Sequence, residues 1–327
     1  MDINFKAKHE VPMWNETRWG GCYNPKQGVG LYLHAGRLRG NLDWWWAQTI
    51  IYMPDDRIAV ERSWVRNLVE DGVKTSSLDL RVRNKGWSAH YDGIVELTTT
   101  VALSKAPRGC IAPSIPARFN ITADDSRPWW DMYAGMPAFK EGESGTHLEQ
   151  PGQGKGTLQV GNESYLLDGV TYYDHSSGIR DWTKSHSHNF AHIVMPDYTI
   201  HAVTVYATPT KAHAHFGVFS PIKGKPLKII QSTMPKLNDV FSMHDQYDWI
   251  LQAEGDKPKT FRVEVMHTFP MTITNENDNI NGFYWDAPGD PMFFTECQVK
   301  VTAPDGAVGY GHIERTNRRS CVLHCDS

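Results

Sequence analysis

The chain has 327 residues, with 33 Lys or Arg against 37 Asp or Glu and a formal net charge of −4. This mildly acidic balance, without a basic tract to neutralise a phosphate backbone, argues against nucleic acid as a partner. No run approaches the roughly 18 apolar residues that a membrane-spanning helix needs, and the polar first residues are unlike a signal peptide. The sequence therefore predicts a cytoplasmic protein with no membrane insertion.

The cysteines and aromatic residues narrow the class further. Five scattered cysteines are too few and too irregular for a disulfide framework, so reduced thiols are expected. Cys321 and Cys325 could hold a metal with His324, although a solvated terminus is the commoner setting for such a pair. The 12 Trp, 13 Tyr and 12 Phe residues suit either an aromatic-rich β core or a pocket for an apolar ligand.

Short alternating runs of apolar and polar residues recur between Gly, Pro, Asn and Asp turns, whereas helical periodicity is scarce. The fold class is therefore predicted as all-β, with antiparallel strands. The predicted strands, in chain order, are residues 28–34, 44–52, 58–63, 77–83, 156–160, 200–208, 261–267 and 295–302.

Two features predict a division into halves. Residues 46–55 resemble residues 190–197 when a two-residue gap is allowed, because each reads as a strand that enters a Pro-Asp turn. Residues 123–156 are rich in Gly, Pro and charge and lack sustained alternation, which predicts a connection that includes Trp129 and Trp130 in a short helix or lid. We expect an N-terminal β domain over 1–140 and a C-terminal β domain over 141–327.

The run YYDHSSGIRDW, from Tyr172 to Trp182, concentrates acids, a His, an Arg and aromatic rings on what reads as a strand-turn-strand connection. It resembles the Gly-x-Gly-Tyr-x-Asp-His-Ser-Trp-Gly-x-Arg-Asp-Trp pattern of the carotenoid 1,2-hydratase and tocopherol-cyclase-like superfamily. The stretches 147–161 and 305–314 resemble the same family. The resemblance implies two lipocalin-like antiparallel β-barrels or half-barrels in tandem, and it covers most of the second half of the chain.

The resemblance also implies site roles. The family's Tyr-x-Asp pair corresponds to Tyr172 and Asp174, and Asp174 is the candidate proton donor, because desolvation in an apolar cavity raises the pKa of a carboxyl group. Tyr172 and His175 would assist it. A structural role, as a buried ion network that pins a barrel rim, is favoured for Arg180 and Asp181 and is equally weighted with catalysis for Asp174 and His175.

A second set of residues is expected to contact substrate. Its members are aromatic or histidine side chains of the motif and of other strands, namely Trp44, Trp46, Tyr173, Trp182, His186, His188 and Trp285. Ser177 stands where the family usually has a bulky residue, and the histidines near residue 187 make the site more polar than a carotenoid pocket.

Histidine spacing leaves a metal site open as an alternative. His186 with His188, and His213 with His215, each share a strand face, with His192 or His201 expected nearby. Glu264 could complete a set of ligands for zinc, iron or manganese. The family resemblance, in contrast, implies no metal and no other cofactor.

The sequence thus predicts a cofactor-independent lyase or isomerase: a hydratase, dehydratase or cyclase that acts on a hydrophobic terpenoid-, steroid- or polyketide-like molecule. Two alternatives stay open, a non-catalytic binding protein for an apolar ligand and a metal-dependent enzyme that uses the histidine pairs. A homodimer is compatible with the sequence.

Overall fold

A computed structural model describes residues 2–83, 86–105, 112–133, 145–181, 186–206, 212–235, 245–274 and 280–323. Antiparallel strands dominate this part of the chain, and two short helices accompany them. The all-β prediction is therefore confirmed. No helix within these ranges is both long and apolar enough to cross a membrane.

The chain divides into two compact units. The first comprises Met1–Thr99 and Ile111–Arg180, and the second comprises Thr100–Cys110 and Asp181–Ser327. The strands of the first unit are β1 (Trp14–Asn24), β2 (Val29–Leu38), β3 (Asn41–Tyr52), β4 (Arg57–Val65), β5 (Gly72–Lys74), β6 (Leu78–Arg83), β7 (Gly86–Thr99), β8 (Ser114–Ala123), β9 (Trp130–Asp131), β10 (Thr146–Val160), β11 (Glu163–Leu166) and β12 (Gly169–Ile179). The second unit contains α1 (Thr100–Lys105), β13 (Ser187–Val194), β14 (Tyr198–Tyr206), β15 (Ala212–Pro221), β16 (Leu227–Thr233), β17 (Gln246–Ala253), β18 (Lys259–Ile273), β19 (Ile280–Asn281), β20 (Met292–Thr302), β21 (Val308–Arg318) and α2 (Arg319–Leu323).

Each unit closes into a barrel. In the first, β10, β12, β1, β2, β3, β4, β7 and β8 pair in sequence, and β8 returns to β10 to complete the ring. In the second, β13 to β18 pair in chain order, and β20 and β21 connect β18 back to β13. Closure removes the unpaired edges that an open sheet would expose.

The core of the first barrel is formed by alternate residues of its strands, among them Leu31, Leu33 and Trp45. The residues between them point to the opposite face of the sheet, and several of those are equally buried, including Trp19 and Tyr32. Both faces of β1, β2 and β3 are therefore shielded from water.

The first unit extends further along the chain than the predicted boundary at residue 140. Strands β10 and β12 belong to it because β10 pairs with β8 and β12 pairs with β1. The expected connection over 123–156 therefore contains most of a barrel strand, and Trp130 lies in the short strand β9 rather than in a helix or lid.

The secondary structure of the motif also differs from the expectation. Gly169–Ile179 forms one continuous strand, β12, rather than a strand-turn-strand connection. Successive side chains of a strand point to opposite faces. The motif therefore presents Tyr172 and Asp174 on one face and Tyr173 and His175 on the other.

Candidate active site

Three ionisable side chains meet on one face of β10 and β12. His147 and Glu149 are two residues apart on β10, and Glu149 lies directly opposite Asp174 in the strand register. His147 Nε2 lies 2.9 Å from Glu149 Oε1 and forms a short ion pair with Asp174 Oδ2. The exposed fraction is 0% for Glu149 and 7% for Asp174. We call these three residues the acid cluster.

The pKa values of the three groups in the acid cluster shift in different directions. Burial and the neighbouring Asp174 carboxylate raise the pKa of Glu149 to about 8. Burial also acts to raise the pKa of Asp174, but the ion pair with His147 and the charge of Arg180 outweigh it and lower that pKa below its ordinary value. Burial acts to lower the pKa of His147, and the two carboxyl groups outweigh it and raise that pKa well above the ordinary value.

At neutral pH the acid cluster therefore contains an imidazolium, one carboxylate and one neutral carboxylic acid, with no net charge. The expected raised pKa of Asp174 is contradicted, since the retained proton is on Glu149 instead. The cause is the histidine on β10, which stabilises the Asp174 anion at close range.

Arg180 contacts this cluster through hydroxyl groups. Its guanidinium donates to Thr17 Oγ1 at 2.9 Å and forms a short bond to Ser176 Oγ. Ser176 in turn donates to Asp174 Oδ1 at 3.3 Å. Arg180 thus supports the Asp174 carboxylate through Ser176 and through its positive charge.

Aromatic rings continue the same sheet face beside the acid cluster. Tyr172 stacks on Trp19 with 4.7 Å between ring centroids, and Trp19 lies 5.8 Å from Tyr32. Tyr32 Oη lies 3.0 Å from His34 Nδ1, and the His34 ring contacts Trp46 edge-on at 4.9 Å. We call Tyr172, Trp19, Tyr32, His34 and Trp46 the aromatic row.

Two glycines make room for this row. A Cβ atom on Gly21 would overlap the Tyr172 ring, and one on Gly36 would lie 2.7 Å from Trp46 Cζ2. Trp46 is buried, and its indole N–H has no hydrogen-bond partner within the described part of the chain.

Two motif residues on the opposite face of β12, Tyr173 and His175, face the interior of the first barrel. His175 Nδ1 lies 2.5 Å from Asp2 Oδ1, and its Nε2 lies 3.0 Å from Glu16 Oε1. Tyr173 donates to Asp2 and accepts a short bond from Arg18. The sequence grouped His175 and Tyr173 with Asp174 in one site, whereas strand alternation places these two side chains on the opposite face of β12.

The other predicted residues near this part of the chain are Trp44, Asp181 and Trp182. Trp44 is 41% exposed on β3, unlike its buried neighbour Trp46. Asp181 follows β12 and is half-buried. Trp182 lies outside the described residues.

Three predicted substrate residues belong to the second unit and have structural contacts there. His186 Nε2 lies 3.1 Å from Cys321 Sγ. His188 forms a short ion pair with Glu314. Trp285 donates to the Ser104 carbonyl at 3.0 Å and packs against Phe293.

The metal site expected from histidine spacing is not assembled from the predicted residues that can be described. His188 contacts Glu314, His215 Nδ1 lies 3.1 Å from Thr204 Oγ1, and Glu264 pairs with Lys300 at 2.8 Å. The side chain of His213 lies outside the described residues.

Two of the histidines that the sequence expected near these pairs, His192 and His201, form a row with His312 in the second unit. His192 lies directly opposite His201 and His312 in the register of β13, β14 and β21. The His192 and His201 rings are 4.2 Å apart, and His312 Nε2 lies 2.7 Å from Glu296 Oε2. Burial and the two neighbouring histidines lower the pKa of His192 well below its ordinary value, so this imidazole is neutral.

Sequence reasoning missed Glu149 and His147 as site residues. Their His-x-Glu spacing on an alternating run shows that they share a strand face. The strand that faces them could not be identified from the sequence, because the pairing of β10 with β12 depends on the closed barrel.

Comparisons with known proteins bear on the family and the fold. A family model described as "Domain of unknown function (DUF7064)" matches residues 4–319. None of the curated proteins matches the sequence. Among solved structures, a Nitrosomonas europaea protein named as a candidate AttH has a TM-score of 0.61 at 10% identity, covering 95% of this chain and 94% of that chain.

CghA is similar as well. Its structure with Sch210972 has a TM-score of 0.56 at 10% identity and covers 94% of this chain and 89% of that chain. A second CghA structure has a TM-score of 0.54 at 9% identity, over 94% of this chain and 88% of that chain. At these identities the similarity shows the fold alone, and it confirms the two lipocalin-like antiparallel β-barrels.

Proposed function

The chain belongs to the DUF7064 family, and we propose that it is an acid–base enzyme, a hydro-lyase or an isomerase, that acts on a hydrophobic small molecule. Glu149 is the proton donor in this proposal, and Asp174 and His147 keep it protonated. The substrate lies against the aromatic row. The reaction needs no cofactor, because the proton is its only catalytic requirement.

The observation that carries this proposal is a fully buried carboxyl group, Glu149, that lies beside His147 and directly opposite Asp174. With a pKa of about 8, Glu149 is protonated at neutral pH and strong enough to donate. A general acid works best when its pKa lies near the working pH, because it is then both correctly protonated and able to transfer the proton. The negative charge of the adjacent Asp174 carboxylate disfavours ionisation of Glu149, so Glu149 keeps its proton until the proton is transferred to the substrate.

The chemistry follows from the donor and its neighbours. Glu149 protonates one carbon of an alkene, which leaves a carbocation on the other carbon and a carboxylate on Glu149. Water attacks the cation and returns a proton to Glu149, which completes a hydration. When an internal alkene is the nucleophile, a ring forms with a new cation, and the Glu149 carboxylate removes a proton from the adjacent carbon to give an alkene. Dehydration is the reverse, with the proton placed on the departing hydroxyl group.

The aromatic row supports a hydrophobic substrate with cationic character in its transition state. Indole and phenol faces attract positive charge, which is worth about 0.5–2 kcal/mol per favourable contact. Terpenoid-, steroid- and polyketide-like molecules combine alkenes with a large apolar surface. The compound named with CghA, Sch210972, is in keeping with a small-molecule ligand for this fold.

Isotope transfer from solvent tests the proposal across many substrates at once. A panel of terpenoid, steroid and polyketide alkenes and allylic alcohols is incubated with the protein in deuterium oxide or in oxygen-18 water, and products are analysed by mass spectrometry. We expect one panel member to gain deuterium at carbon, or oxygen-18 as hydroxyl, and Glu149→Gln to abolish the label. Glu264→Gln, which alters a half-exposed ion pair in the second unit, is the matched control and retains it.

A panel member that is labelled equally by wild type and Glu149→Gln would remove Glu149 from the mechanism. If an apolar molecule is recovered chemically unchanged from the purified protein, and if no panel member gives a labelled product, the binding-protein alternative would be favoured. Both results come from the same samples.

A metal-dependent enzyme is the second candidate, and one observation favours it. The ligand atoms of His147, Glu149 and Asp174 all lie within 4.8 Å of one another. A divalent cation there would displace the Glu149 proton and coordinate two carboxylates and an imidazole. Elemental analysis of purified protein, and thermal unfolding with zinc or manganese, would separate this candidate from the acid mechanism, since only a metal site gives a stoichiometric cation and a shift that Glu149→Gln removes.

A further inference from the structure

The interior of the first barrel contains a second polar site, on the face of β12 opposite the acid cluster. Three donors converge there on the carboxylate of Asp2. His175 Nδ1 lies 2.5 Å from Oδ1, while Arg18 Nη1 and Tyr173 Oη each lie 3.1 Å from Oδ2. His175, Arg18 and Tyr173 are all fully buried.

Asp2 reaches this position as part of a short segment, residues 2–5, that is separate from the barrel strands. Asn4 accepts a bond from Arg18 Nε at 2.7 Å and donates to the carbonyl of Gly72 at 2.8 Å. The Phe5 amide donates to Glu16 Oε1 at 2.8 Å, and the Phe5 ring stacks on His175 at 4.8 Å. These side-chain contacts, together with a main-chain bond from the Asn4 amide to the Glu70 carbonyl, hold the segment.

The charged side chains around Asp2 show why a negative charge is needed at this position. Arg18 and Arg37 carry positive charge, and Glu16 is the neighbouring anion, with Oε2 at 2.8 Å from Arg37 Nε. Without Asp2, two buried guanidinium groups would face a single carboxylate. Burial of an uncompensated charge is strongly unfavourable, so the position requires an anion.

Further polar groups of the interior are not satisfied by the protein. Within the described part of the chain, Arg18 Nη2, both amide atoms of Gln150 and Thr49 Oγ1 are buried and have no hydrogen-bond partner. The strand register places Gln150 opposite Tyr173, and Thr49 in the same row around the barrel, through Gly20 and Leu33. Buried groups of this kind are nearly always satisfied in folded proteins, by water or by a ligand.

We propose that the interior of the first barrel is a binding site for a small carboxylate that carries a hydroxyl group, and that the chain's own Asp2 fills the carboxylate position in this structure. Arg18, His175 and Tyr173 bind the carboxylate. The hydroxyl group of the ligand bonds to Gln150 or Thr49. This site is independent of the acid cluster and of the function proposed for it.

A carboxylate fits this position better than a tetrahedral anion. The donors approach two oxygens, with His175 on Oδ1 and with Arg18 and Tyr173 on Oδ2. This is a two-oxygen arrangement, which a planar carboxylate matches. Sulfate presents four oxygens in a tetrahedron instead of two in a plane, so it is the discriminating probe.

Chemical rescue tests the site in the full chain. Asp2→Ala is compared with wild type by thermal unfolding in sodium acetate, sodium glycolate, sodium chloride and sodium sulfate at equal ionic strength. We expect Asp2→Ala to melt at a lower temperature, acetate to restore the melting temperature in a saturable manner, and glycolate to do so at several-fold lower concentration. Chloride and sulfate should give only the small shift that they give in wild type.

Two variants locate the response. In the Asp2→Ala background, Tyr173→Phe removes one donor while keeping the ring, and we expect it to weaken acetate rescue several-fold. Gln150→Leu in the same background should abolish the advantage of glycolate over acetate while leaving acetate rescue intact. Asp256→Ala, which removes an exposed carboxylate paired with Lys259, is the matched control and should show no acetate response.

Exchange in the wild-type chain tests whether a ligand can take the place of Asp2. Glycolate should speed hydrogen exchange at the amides of Asn4 and Phe5, which bond to Glu70 and Glu16, while chloride should not. A rescue that is unsaturable or equal for sulfate, or an exchange rate that glycolate leaves unchanged, would overturn the proposal and make Asp2 a permanent structural ligand.

Discussion

At the residue scale, the proposed chemistry depends on three groups that share two protons. Glu149, Asp174 and His147 would cost several kcal/mol each if buried as isolated charges. Holding one acid neutral and pairing the other with an imidazolium gives a cluster without net charge. This arrangement lowers the free-energy cost of burying the cluster, and it also provides a proton donor at neutral pH.

Replacement of Glu149 by Gln should change the pH dependence of stability. The folded state keeps the Glu149 proton up to a pH of about 8, whereas an unfolded chain releases it near the ordinary value of 4.5. The unfolded state therefore binds fewer protons between these values, and wild type loses stability there as pH rises. We expect Glu149→Gln to be more stable than wild type above this range, by up to about 5 kcal/mol, since each unit of pKa difference corresponds to about 1.4 kcal/mol.

Denaturant unfolding of both proteins across the pH range measures this difference. Below the ordinary pKa of Glu the two curves should converge, since the wild-type side chain is then protonated in both states. A constant difference at all pH values would show that Glu149 does not carry the shifted pKa.

Replacement of Asp174 by Asn should disable the proton donor indirectly. The nearby carboxylate is what raises the pKa of Glu149 beyond the effect of burial, and without it Glu149 ionises as the partner of His147. We expect a loss of about 100-fold or more in kcat at neutral pH, typical of a missing general acid. The pH–rate profile should move to lower pH, and an unmoved profile with reduced kcat would indicate only a structural role.

The sequence identified the strand of the proposed site, but it expected a raised pKa at Asp174, whereas the pKa of Asp174 is lowered and that of Glu149 is raised. Asp174 is buried in the acid cluster, as a site residue should be. Which carboxyl group keeps the proton depends on His147, whose side chain lies within reach only because β10 pairs with β12. A register between strands separated by the intervening β11 is not encoded in any local pattern.

At the element scale, strand alternation divides the motif into two sites. Tyr172 and Asp174 join the aromatic row and the acid cluster, whereas Tyr173 and His175 join the interior around Asp2. The dense run of polar residues was interpreted as a single site because it was taken for a turn. As a continuous strand it supplies two separate faces.

The neighbouring glycines of β1 provide a matched pair for testing the aromatic row. A Cβ on Gly21 would overlap the Tyr172 ring, whereas one on Gly20 would make ordinary contact with Trp87 at 3.6 Å. We expect Gly21→Ala to destabilise the protein by about 1–3 kcal/mol, as overpacking does. Gly20→Ala should be neutral or more stable by about 0.4–1 kcal/mol, because alanine restricts the unfolded chain.

Denaturant midpoints of the two variants test this difference directly. Activity, once a substrate is available, should fall with Gly21→Ala and stay near wild type with Gly20→Ala. Equal stability of both variants would mean that the Tyr172 ring does not lie over β1.

At the scale of the whole molecule, barrel closure explains why the predicted boundary was too early. Each of the eight predicted strands overlaps an observed strand, and the repeat is visible where β3 and β13 are each followed by a Met-Pro-Asp turn with a buried methionine, Met53 and Met195. These are local patterns. The pairing of β10 with β8 and of β12 with β1 joins distant segments, so no local pattern could place the end of the first unit near residue 180.

Fragments should distinguish the two boundaries. A fragment of residues 1–140 lacks β10 and β12, which leaves β1 and β8 with unpaired edges, and we expect it to aggregate or to unfold without cooperativity. A fragment of residues 1–181 contains all eight strands of the first barrel and should unfold in a cooperative transition. Cooperative unfolding of the shorter fragment alone would contradict the pairing described for the first unit.

The central claim is that Glu149 holds a proton at neutral pH, and infrared difference spectroscopy of the carboxyl C=O stretch tests it most directly. Wild type should show a protonated carboxyl band at neutral pH that disappears with a midpoint near pH 8, Glu149→Gln should lack it, and the control Glu264→Gln should retain it. Absence of the band from wild type at neutral pH, or its persistence in Glu149→Gln, would contradict the account.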